Sequence, residues 1–240
     1  MNVCMAHRGW SGRAPENTRS AIRLALAEPR IHSIEFDVQL TKDGVPVVIH
    51  DFVLGRTANG SGPVGSYTYA ELRKLDAGSW FGAEFKGEHI PALEEILQES
   101  QGRGRLNIEL KTVGNLYPGL EEKVVKLIHQ YGMQHDVYVT SFDHDVIKRV
   151  HALDSSMKTG LIFEGKPALV REQLSKVGAS VLSMSYMHMT KEFVVEMIES
   201  GIPVVAWTVD DPEAIQRLMG FHPDIQICTN YPDRMIGLIR

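Results

Sequence analysis

From residue 105 onward, short runs of apolar and β-branched residues alternate with amphipathic helical patterns at a steady spacing. Strands are predicted over residues 105–111, 137–142, 159–163, 180–184, 203–209 and 225–229. Helices are predicted between and after them over residues 120–131, 143–153, 167–177, 190–200, 211–219 and 233–239. Tandem units of this kind build a parallel sheet, which closes into a barrel or stays open as a doubly wound sheet.

The first half of the chain adds three predicted strands and one helix. They cover strands 3–6, 33–40 and 45–50, with the helix at about residues 18–27. Residues 41–44 join the second and third strands, and this linker is too short for a helical crossover between parallel strands. The total is nine strands, one more than an eight-stranded barrel needs. Either strand 45–50 is an extra or antiparallel strand, or a later segment lies outside the barrel.

The short linker ends in Asp43-Gly44, which is a β-hairpin signal. A turn centred between Lys42 and Asp43 would place Glu35 directly opposite His50. Cross-strand partners have Cβ atoms about 5 Å apart, so this register brings a carboxylate and a histidine into one site.

Composition limits the classes of partner. The chain has 240 residues, 43% of them hydrophobic, which is enough for one large α/β domain spanning residues 1–240. A net charge of -5 and the lack of a Lys/Arg run disfavour a nucleic-acid groove or stable binding to an anionic membrane. No stretch approaches the roughly 20 apolar residues of a membrane span, and no basic leader precedes the first apolar run, so we expect a cytoplasmic protein.

Residues 52–89 break the strand-helix rhythm with a glycine-rich stretch and several aromatic side chains. The glycines lack the Gly-Lys-Ser/Thr ending of a phosphate-binding loop, so the segment is predicted to be a small insertion that caps one side of the pocket. Cys4 and Cys228 lie in the first and last predicted strands, where free thiols usually behave as small hydrophobic groups. If the sheet closes on itself, these two strands should be neighbours.

Charged residues interrupt several strands that otherwise suit a protein core. Glu35 and Asp37 are two residues apart, as are Glu109 and Lys111, so each pair points to one face of its strand. In a barrel the three carboxylates would converge near the C-terminal mouth, where barrel enzymes place their active sites. Such an all-oxygen set of donors suits a divalent cation such as Mg²⁺ or Ca²⁺.

The remaining polar residues indicate an anionic substrate. Arg8 and Lys111, together with a divalent cation, outweigh the three carboxylates by one positive charge, which matches the single negative charge of a phosphodiester. His7 and His50 stand at strand ends beside this cluster. Their ordinary pKa, near 6.5, allows one to accept a proton from the attacking oxygen and the other to protonate the leaving alkoxide.

These residues occur in motifs that resemble those of the glycerophosphodiester phosphodiesterase family, in the family's order through nearly the whole chain. The motifs are His7-Arg8-Gly9, Pro15-Glu16-Asn17-Thr18, Glu35-x-Asp37 continuing to Asp43-Gly44, Val47-Val48-Ile49-His50-Asp51, Arg56-Thr57, Glu109-Leu110-Lys111 and Trp207-Thr208-Val209.

The resemblance implies a TIM-type (β/α)8 barrel of the phospholipase-C-like phosphodiesterase kind, with a small subdomain inserted after the third strand. It also implies a divalent cation on Glu35, Asp37 and Glu109, with His7 and His50 as the acid/base pair. Trp207 would form a wall for the glycerol moiety, which the family pattern favours, or pack within the barrel, and we expect Asn17 to be a polar neighbour of the phosphate. The implied reaction releases sn-glycerol 3-phosphate and an alcohol from a glycerophosphodiester.

Three other functions would use parts of the same set of residues. A lysophospholipase D or a phospholipase-C-like lipid phosphodiesterase would need an apolar entrance, which the aromatic residues of 67–85 could provide. A zinc or iron enzyme is disfavoured because the chain has no His-x-His or His-x-x-x-His pair in this cluster. A barrel that binds a phosphodiester without cleaving it is disfavoured because the whole polar set is present.

Overall fold

The computed structural model describes residues 2–238. The strands, in chain order, are β1 (Val3–His7), β2 (Ser33–Leu40), β3 (Pro46–Val48), β4 (Val53–Leu54), β5 (Gly62–Pro63), β6 (Arg105–Leu110), β7 (Val137–Ser141), β8 (Lys158–Phe163), β9 (Val181–Ser185), β10 (Val204–Trp207) and β11 (Gln226–Thr229). The helices are α1 (Arg19–Leu26), α2 (Tyr69–Leu72), α3 (Leu93–Ser100), α4 (Leu120–Gln130), α5 (His144–Leu153), α6 (Val170–Val177), α7 (Lys191–Glu199), α8 (Pro212–Met219) and α9 (Pro232–Ile236).

Among the described residues, eight parallel strands form a closed ring in the order β1, β2, β6, β7, β8, β9, β10, β11. The ring closes where β11 pairs with β1 and places Cys228 beside Met5. The predicted (β/α)8 barrel is therefore confirmed, and so is the prediction that the two cysteine-bearing strands are neighbours.

The extra strand is the short β3, which pairs antiparallel with β2, forms an isolated antiparallel bridge from Val47 to Ala92, and stands outside the ring. Its register differs from the predicted one. Val38 pairs with Val48, and the Ile49 amide donates to the Asp37 carbonyl, so Glu35 does not face His50.

The reason for the shifted register is the length of the hairpin loop. The Thr41 amide donates to the Val45 carbonyl at 3.0 Å, so the loop has three residues rather than two. Gly44 at φ +76 closes it in the left-handed conformation, as in a type I turn followed by a bulge. The predicted turn has only two loop residues, Lys42 and Asp43. The observed loop also includes Gly44, and this third residue moves every cross-strand pairing by one position.

Helix α3 carries the chain from the hairpin region back to β6 and was not predicted. Its buried positions are Leu93, Ile96, Leu97 and Ser100, which is the spacing of one helical face. Glu95 accepts a hydrogen bond from the Ala92 amide at 3.0 Å and so stabilises the first turn. The pattern was present in the sequence, but it directly follows the irregular insertion.

The four-residue α2, inside the 52–89 insertion, was not predicted either. The other seven helices that the structure describes follow their predicted positions to within a few residues, and four of them begin at polar caps. Thr18, Asp143, Thr190 and Asp211 each accept a hydrogen bond from a backbone amide in the first turn of their helix. The last helix was predicted over residues 233–239, and the structure has Pro232–Ile236, with Ile239 outside the described residues. Their apolar faces pack against the barrel in one continuous core.

Two smaller apolar clusters lie apart from that core. Met5, Val181, Val205 and Cys228 fill the inside of the barrel beneath its C-terminal mouth. Leu54, Ala58, Val64 and Leu72 belong to the 52–89 segment and pack with Val47 and Ile49 of the hairpin. Within residues 2–238, no helix is long and apolar enough to cross a membrane.

Candidate active site

The predicted carboxylates lie side by side at the C-terminal end of the barrel. Glu35 pairs with His7 across β1 and β2, and Asp37 pairs with Glu109 across β2 and β6. Alternation along the strands directs Glu35 and Asp37 to the same side of β2. One oxygen from each of Glu35, Asp37 and Glu109 lies within 4.8 Å of the others.

Burial and mutual repulsion shift the pKa values of these three carboxyl groups. Burial, followed by the charges of Asp37 and Glu109, raises the pKa of Glu35 well above its usual range. Burial and the charge of Asp37 raise the pKa of Glu109 to about 7. Burial also opposes ionisation of Asp37, but the charges of Arg8 and Lys111 outweigh it and lower its pKa. The cluster therefore needs further positive charge to be fully ionised.

The donor set fits a hard divalent cation. Glu35 Oε1 is buried and has no hydrogen-bond partner, so it is free to ligate. Oxygens on opposite sides of a Mg²⁺ or Ca²⁺ ion are roughly 4–5 Å apart, which agrees with the 4.8 Å spread of the three carboxylates. The group contains no histidine or cysteine, which would favour zinc or iron.

Arg8 and Lys111 stand on either side of the carboxylates. Arg8 Nε lies 3.3 Å from Asp37 Oδ2, and its backbone amide donates to Glu35 Oε2 at 3.0 Å. Lys111 Nζ donates to Glu109 Oε1 at 2.9 Å and lies 3.8 Å from Asp37 Oδ1. Both cations line the cavity that opens beside the cluster. An anion entering this cavity would meet a guanidinium and an ammonium together.

The turn after β1 holds Arg8 in place through residues outside the predicted set. Arg8 has φ 55, and Glu16 Oε1 accepts from its Nη1 at 2.7 Å. Glu16 also accepts two hydrogen bonds from Arg56, at 2.7 and 2.9 Å. Glu16 therefore orients Arg8 and does not cap α1, because that role belongs to Thr18.

His7 is the last residue of β1, and its ring lines the cavity. Its Nε2 is 3.8 Å from Glu35 Oε2, and its Nδ1 is 2.7 Å from Asn230 Oδ1. Burial, aided by the charge of Arg8, lowers the pKa of His7 to about 4. The imidazole is therefore neutral at physiological pH and able to accept a proton.

His50 reaches the same cavity from the segment after β3. Its Nδ1 lies 2.7 Å from Asp51 Oδ1, and Lys111 Nζ lies 3.2 Å from its Nε2. Burial, aided by the charges of Arg8 and Lys111, lowers the pKa of His50, although the charge of Asp37 and the hydrogen bond to Asp51 oppose the shift. The two histidines thus have different neighbours: an amide behind His7 and a carboxylate behind His50.

The fully buried Gln39 holds the backbone around His50. Its Nε2 lies 2.9 to 3.0 Å from the carbonyls of Ile49, His50 and Asp51, and its Oε1 accepts from Tyr117 at 2.8 Å. These contacts replace the ladder that ends at Val48. Nothing in the sequence pattern except its inward parity with Asp37 singled out Gln39.

Asn17 lies behind the carboxylates and is not part of the cavity wall. Its Nδ2 donates to Asp37 Oδ2 at 2.9 Å, and its Oδ1 accepts from the Asp37 amide at 3.2 Å. Two hydrogen bonds to one residue fix the Asp37 carboxylate. That Asn17 neighbours the phosphate stays a prediction.

The far wall of the cavity is more apolar. The cavity has a volume of about 220 Å³, and Trp207 and Phe142 form an edge-to-face pair there with ring centroids 5.7 Å apart. Glu164 also lines the cavity. Neither Phe142 nor Glu164 is among the predicted site residues, because each follows a strand end where no alternation remains to set its direction. Residues 52–89 contribute no side chain to this wall.

The cavity thus combines a carboxylate cluster, two cations and two histidines at the C-terminal mouth of a (β/α)8 barrel, as in a metal-assisted hydrolase.

The chain is similar to known proteins along nearly its whole length. A family model described as the glycerophosphoryl diester phosphodiesterase family matches residues 7–234. A glycerophosphodiester phosphodiesterase of Caldanaerobacter subterraneus subsp. tengcongensis is 38% identical over 99% of this chain and 98% of its own. One of Bacillus subtilis is 33% identical over 96% of this chain and 84% of its own.

A solved structure supports the same family. An Oleispira antarctica phosphodiesterase, in complex with the product sn-glycerol-3-phosphate, superimposes with a TM-score of 0.92 at 31% identity. The alignment covers 99% of this chain and 96% of that one. The chain therefore belongs to the glycerophosphoryl diester phosphodiesterase family and is a hydrolase of phosphoric diesters.

Proposed function

We propose that the protein hydrolyses glycerophosphodiesters to sn-glycerol 3-phosphate and an alcohol, using a divalent cation held by Glu35, Asp37 and Glu109. The observation that carries the proposal is the cavity itself, in which this buried cluster lies beside Arg8 and Lys111. The Oleispira relative, bound to sn-glycerol-3-phosphate, supports the choice of substrate class. The expected cytoplasmic location stays a prediction.

Arg8 and Lys111 are the groups that hold the phosphate. The Arg8 guanidinium presents a planar set of donors that suits two phosphoryl oxygens, and Lys111 supplies a point charge. Both are tethered to the carboxylates, Arg8 to Asp37 at 3.3 Å and Lys111 to Glu109 at 2.9 Å. When bound, the cation, Mg²⁺ or Ca²⁺, would polarise the phosphoryl group and neutralise its developing charge.

His7 and His50 are the proton-transfer groups of the proposal. Hydrolysis requires one proton to leave the attacking oxygen and one to reach the leaving alkoxide oxygen as the P–O bond breaks. Both rings line the cavity. The attacking oxygen belongs to water, or to the 2-hydroxyl of the glycerol, in which case a cyclic phosphate forms as the alcohol leaves and water then opens the ring to give sn-glycerol 3-phosphate. Each such transfer is typically worth a factor of about 10² to 10⁴ in rate.

Trp207 and Phe142 form the wall against which we place the organic part of the substrate. Phe142 is 45% exposed, so an apolar surface continues from the cavity to its entrance. This surface is the observation that favours the second candidate, a lysophospholipase D or phospholipase-C-like lipid phosphodiesterase. Comparing turnover of glycerophosphoethanolamine with that of a lysophospholipid separates the two, and we expect the deacylated diester to be the better substrate.

The direct test is release of sn-glycerol 3-phosphate from a panel of glycerophosphodiesters. We expect turnover by the wild type with Mg²⁺ or Ca²⁺, none in excess chelator, and a loss of at least about 100-fold in His7→Ala and Glu35→Gln. His135→Ala is the matched control, because His135 is exposed near the opposite end of the barrel. Full activity of His7→Ala, or of the wild type in chelator, would contradict the mechanism.

A further inference from the structure

His7 is hydrogen-bonded to Asn230, and Asn230 is in turn hydrogen-bonded to Asp210; the proposed mechanism leaves both residues without a role. Asn230 Oδ1 lies 2.7 Å from His7 Nδ1, and Asn230 Nδ2 donates to Asp210 Oδ2 at 2.7 Å. His7 ends β1, Asn230 directly follows β11, and Asp210 lies shortly after β10. Three adjacent strand ends are thus joined by one chain of hydrogen bonds.

The Asp210 carboxylate determines which way the Asn230 amide faces. Its Oδ1 accepts from the Asn230 backbone amide at 2.9 Å and from Thr229 Oγ1 at 3.0 Å. An ionised carboxylate only accepts hydrogen bonds, so the amide nitrogen of Asn230 must face Asp210 and its oxygen must face His7. Ser11 Oγ lies 2.7 Å from both Asn230 Oδ1 and the His7 carbonyl oxygen, so its single proton does not determine the orientation of the amide, which is set by Asp210.

The amide orientation in turn determines the tautomer of His7. Asn230 Oδ1 cannot donate, so the proton of a neutral His7 ring must be on Nδ1 and Nε2 must carry the lone pair. We propose that Asp210 and Asn230 are positioning residues that hold His7 as the Nδ1-protonated tautomer, with Nε2 ready to accept a proton from the attacking oxygen. This inference rests on the proposed function.

An amide between the carboxylate and the histidine suits this site. His50 shows the alternative, with Asp51 Oδ1 directly on its Nδ1 at 2.7 Å. A carboxylate in that position stabilises the charged imidazolium form. Asn230 orients His7 without adding a negative charge in contact with its ring, which already lies 3.8 Å from Glu35.

Asp210→Asn tests the inference sharply, because it should reverse the chain of hydrogen bonds. The Asn230 backbone amide still requires an oxygen at its contact with residue 210, so the new amide nitrogen must face Asn230 Nδ2. Two donors cannot pair, and Asn230 must turn its own nitrogen toward His7. The ring proton of His7 then moves from Nδ1 to Nε2. Nε2 can therefore no longer accept a proton from the attacking oxygen.

Exchanging the two side chains should restore the original direction. In the double variant Asp210→Asn/Asn230→Asp, the carboxylate at position 230 accepts from His7 Nδ1 and from the amide at position 210. Asp211→Asn is the matched control, because it makes the same chemical change one residue away, at the cap of α8. Asn caps helices as well as Asp does, so this control should keep wild-type turnover.

The decisive measurement is the ¹⁵N spectrum of the His7 ring at about pH 8 with Mg²⁺ present, since protonated and unprotonated ring nitrogens have distinct shifts. We expect Nδ1–H in the wild type, Nε2–H in Asp210→Asn and Nδ1–H again in the double variant. In Asp210→Asn, kcat should fall about 100-fold with KM changed only a few-fold, and the double variant should recover at least tenfold.

An unchanged His7 tautomer in Asp210→Asn, or a double variant no better than Asp210→Asn in kcat, would overturn the inference. A folded wild type that shows the expected spectra but releases no sn-glycerol 3-phosphate would contradict the proposed function, while supporting the hydrogen-bonded chain. The spectra therefore distinguish the two failures.

Discussion

Single residues of the site show how a barrel tolerates charges that would be costly in an ordinary core. Asp37 accepts a hydrogen bond from Asn17 Nδ2, donates its backbone amide to Asn17 Oδ1, and lies near both Arg8 and Lys111. Glu35 is less well compensated, because one oxygen accepts from the Arg8 amide and the other has no partner. Removing one partner of a buried ion pair typically costs about 3–5 kcal/mol, so Glu35 is the position where a bound cation would matter most.

The two cysteines should be chemically inert in the folded protein. Burial raises the pKa of Cys4 to about 12 and that of Cys228 well above its usual range, and their side chains are 0% and 2% exposed. The reactive thiolate is therefore almost absent. We expect a disulfide reagent at about pH 8 to modify neither thiol in the native protein and both in denaturant. Rapid modification of either thiol without unfolding would contradict this.

At this scale the sequence predicts the strand residues well and the loop residues poorly. A strand has only two faces, so the spacing of Glu35, Asp37 and Glu109 was enough to predict their convergence. Glu16 and Asp210 lie outside regular structure, where no periodicity sets the direction of a side chain. Their contacts depend on which loops the barrel brings together.

Among the elements, the β2–β3 hairpin has the largest influence on the site. The antiparallel pairing stops at Val48, and Gln39 then holds the next three carbonyls, so His50 leaves the sheet and reaches the cavity. The sequence predicted the hairpin but not its register, because Asp43-Gly44 is compatible with loops of two and three residues. The nearness of His50 to the cluster comes from Lys111, which bridges to it at 3.2 Å, and not from a cross-strand pair.

Strand β8 provides a test of packing inside the barrel. Gly160 lies between Thr140 of β7 and Val181 of β9, and an added Cβ would lie 2.9 Å from both the Cβ and the carbonyl oxygen of Val181. Neither atom belongs to a flexible side-chain end. We expect Gly160→Ala to lower the free energy of unfolding by about 1–3 kcal/mol, measured by urea denaturation.

Gly165 provides the matched control for this substitution. A Cβ there would have no atom within 4 Å, and its φ is not in the left-handed region. Gly165→Ala should change the free energy of unfolding by no more than about 0.5 kcal/mol. Equal effects of the two substitutions would show that β8 can shift to make room and that the close contact is not a constraint.

On the scale of the whole molecule, the barrel separates stability from chemistry. The apolar core lies between the strands and the helices, a small cluster around Met5 and Val205 fills the lower barrel, and the charged groups gather at the C-terminal mouth. Strand-helix alternation predicted this architecture but did not by itself distinguish a barrel from an open sheet. Closure depends on the pairing of β1 with β11, a contact between the two ends of the chain that no local pattern encodes.

Because the carboxylate cluster draws on β2 and β6, it exists only when the barrel is folded, and cation binding should stabilise the whole molecule. A ligand at 100 times its Kd contributes about 2.7 kcal/mol. For a chain of this size, that corresponds to a rise in Tm of roughly 5–10 °C. Thermal unfolding followed by circular dichroism should show this rise with Mg²⁺ or Ca²⁺ and its loss on adding chelator. Glu35→Gln should abolish the shift, whereas Glu199→Gln, an exposed change at the end of α7, should retain it. A shift of equal size in Glu35→Gln would place the cation outside the cluster, because only one of these variants removes a carboxylate from it.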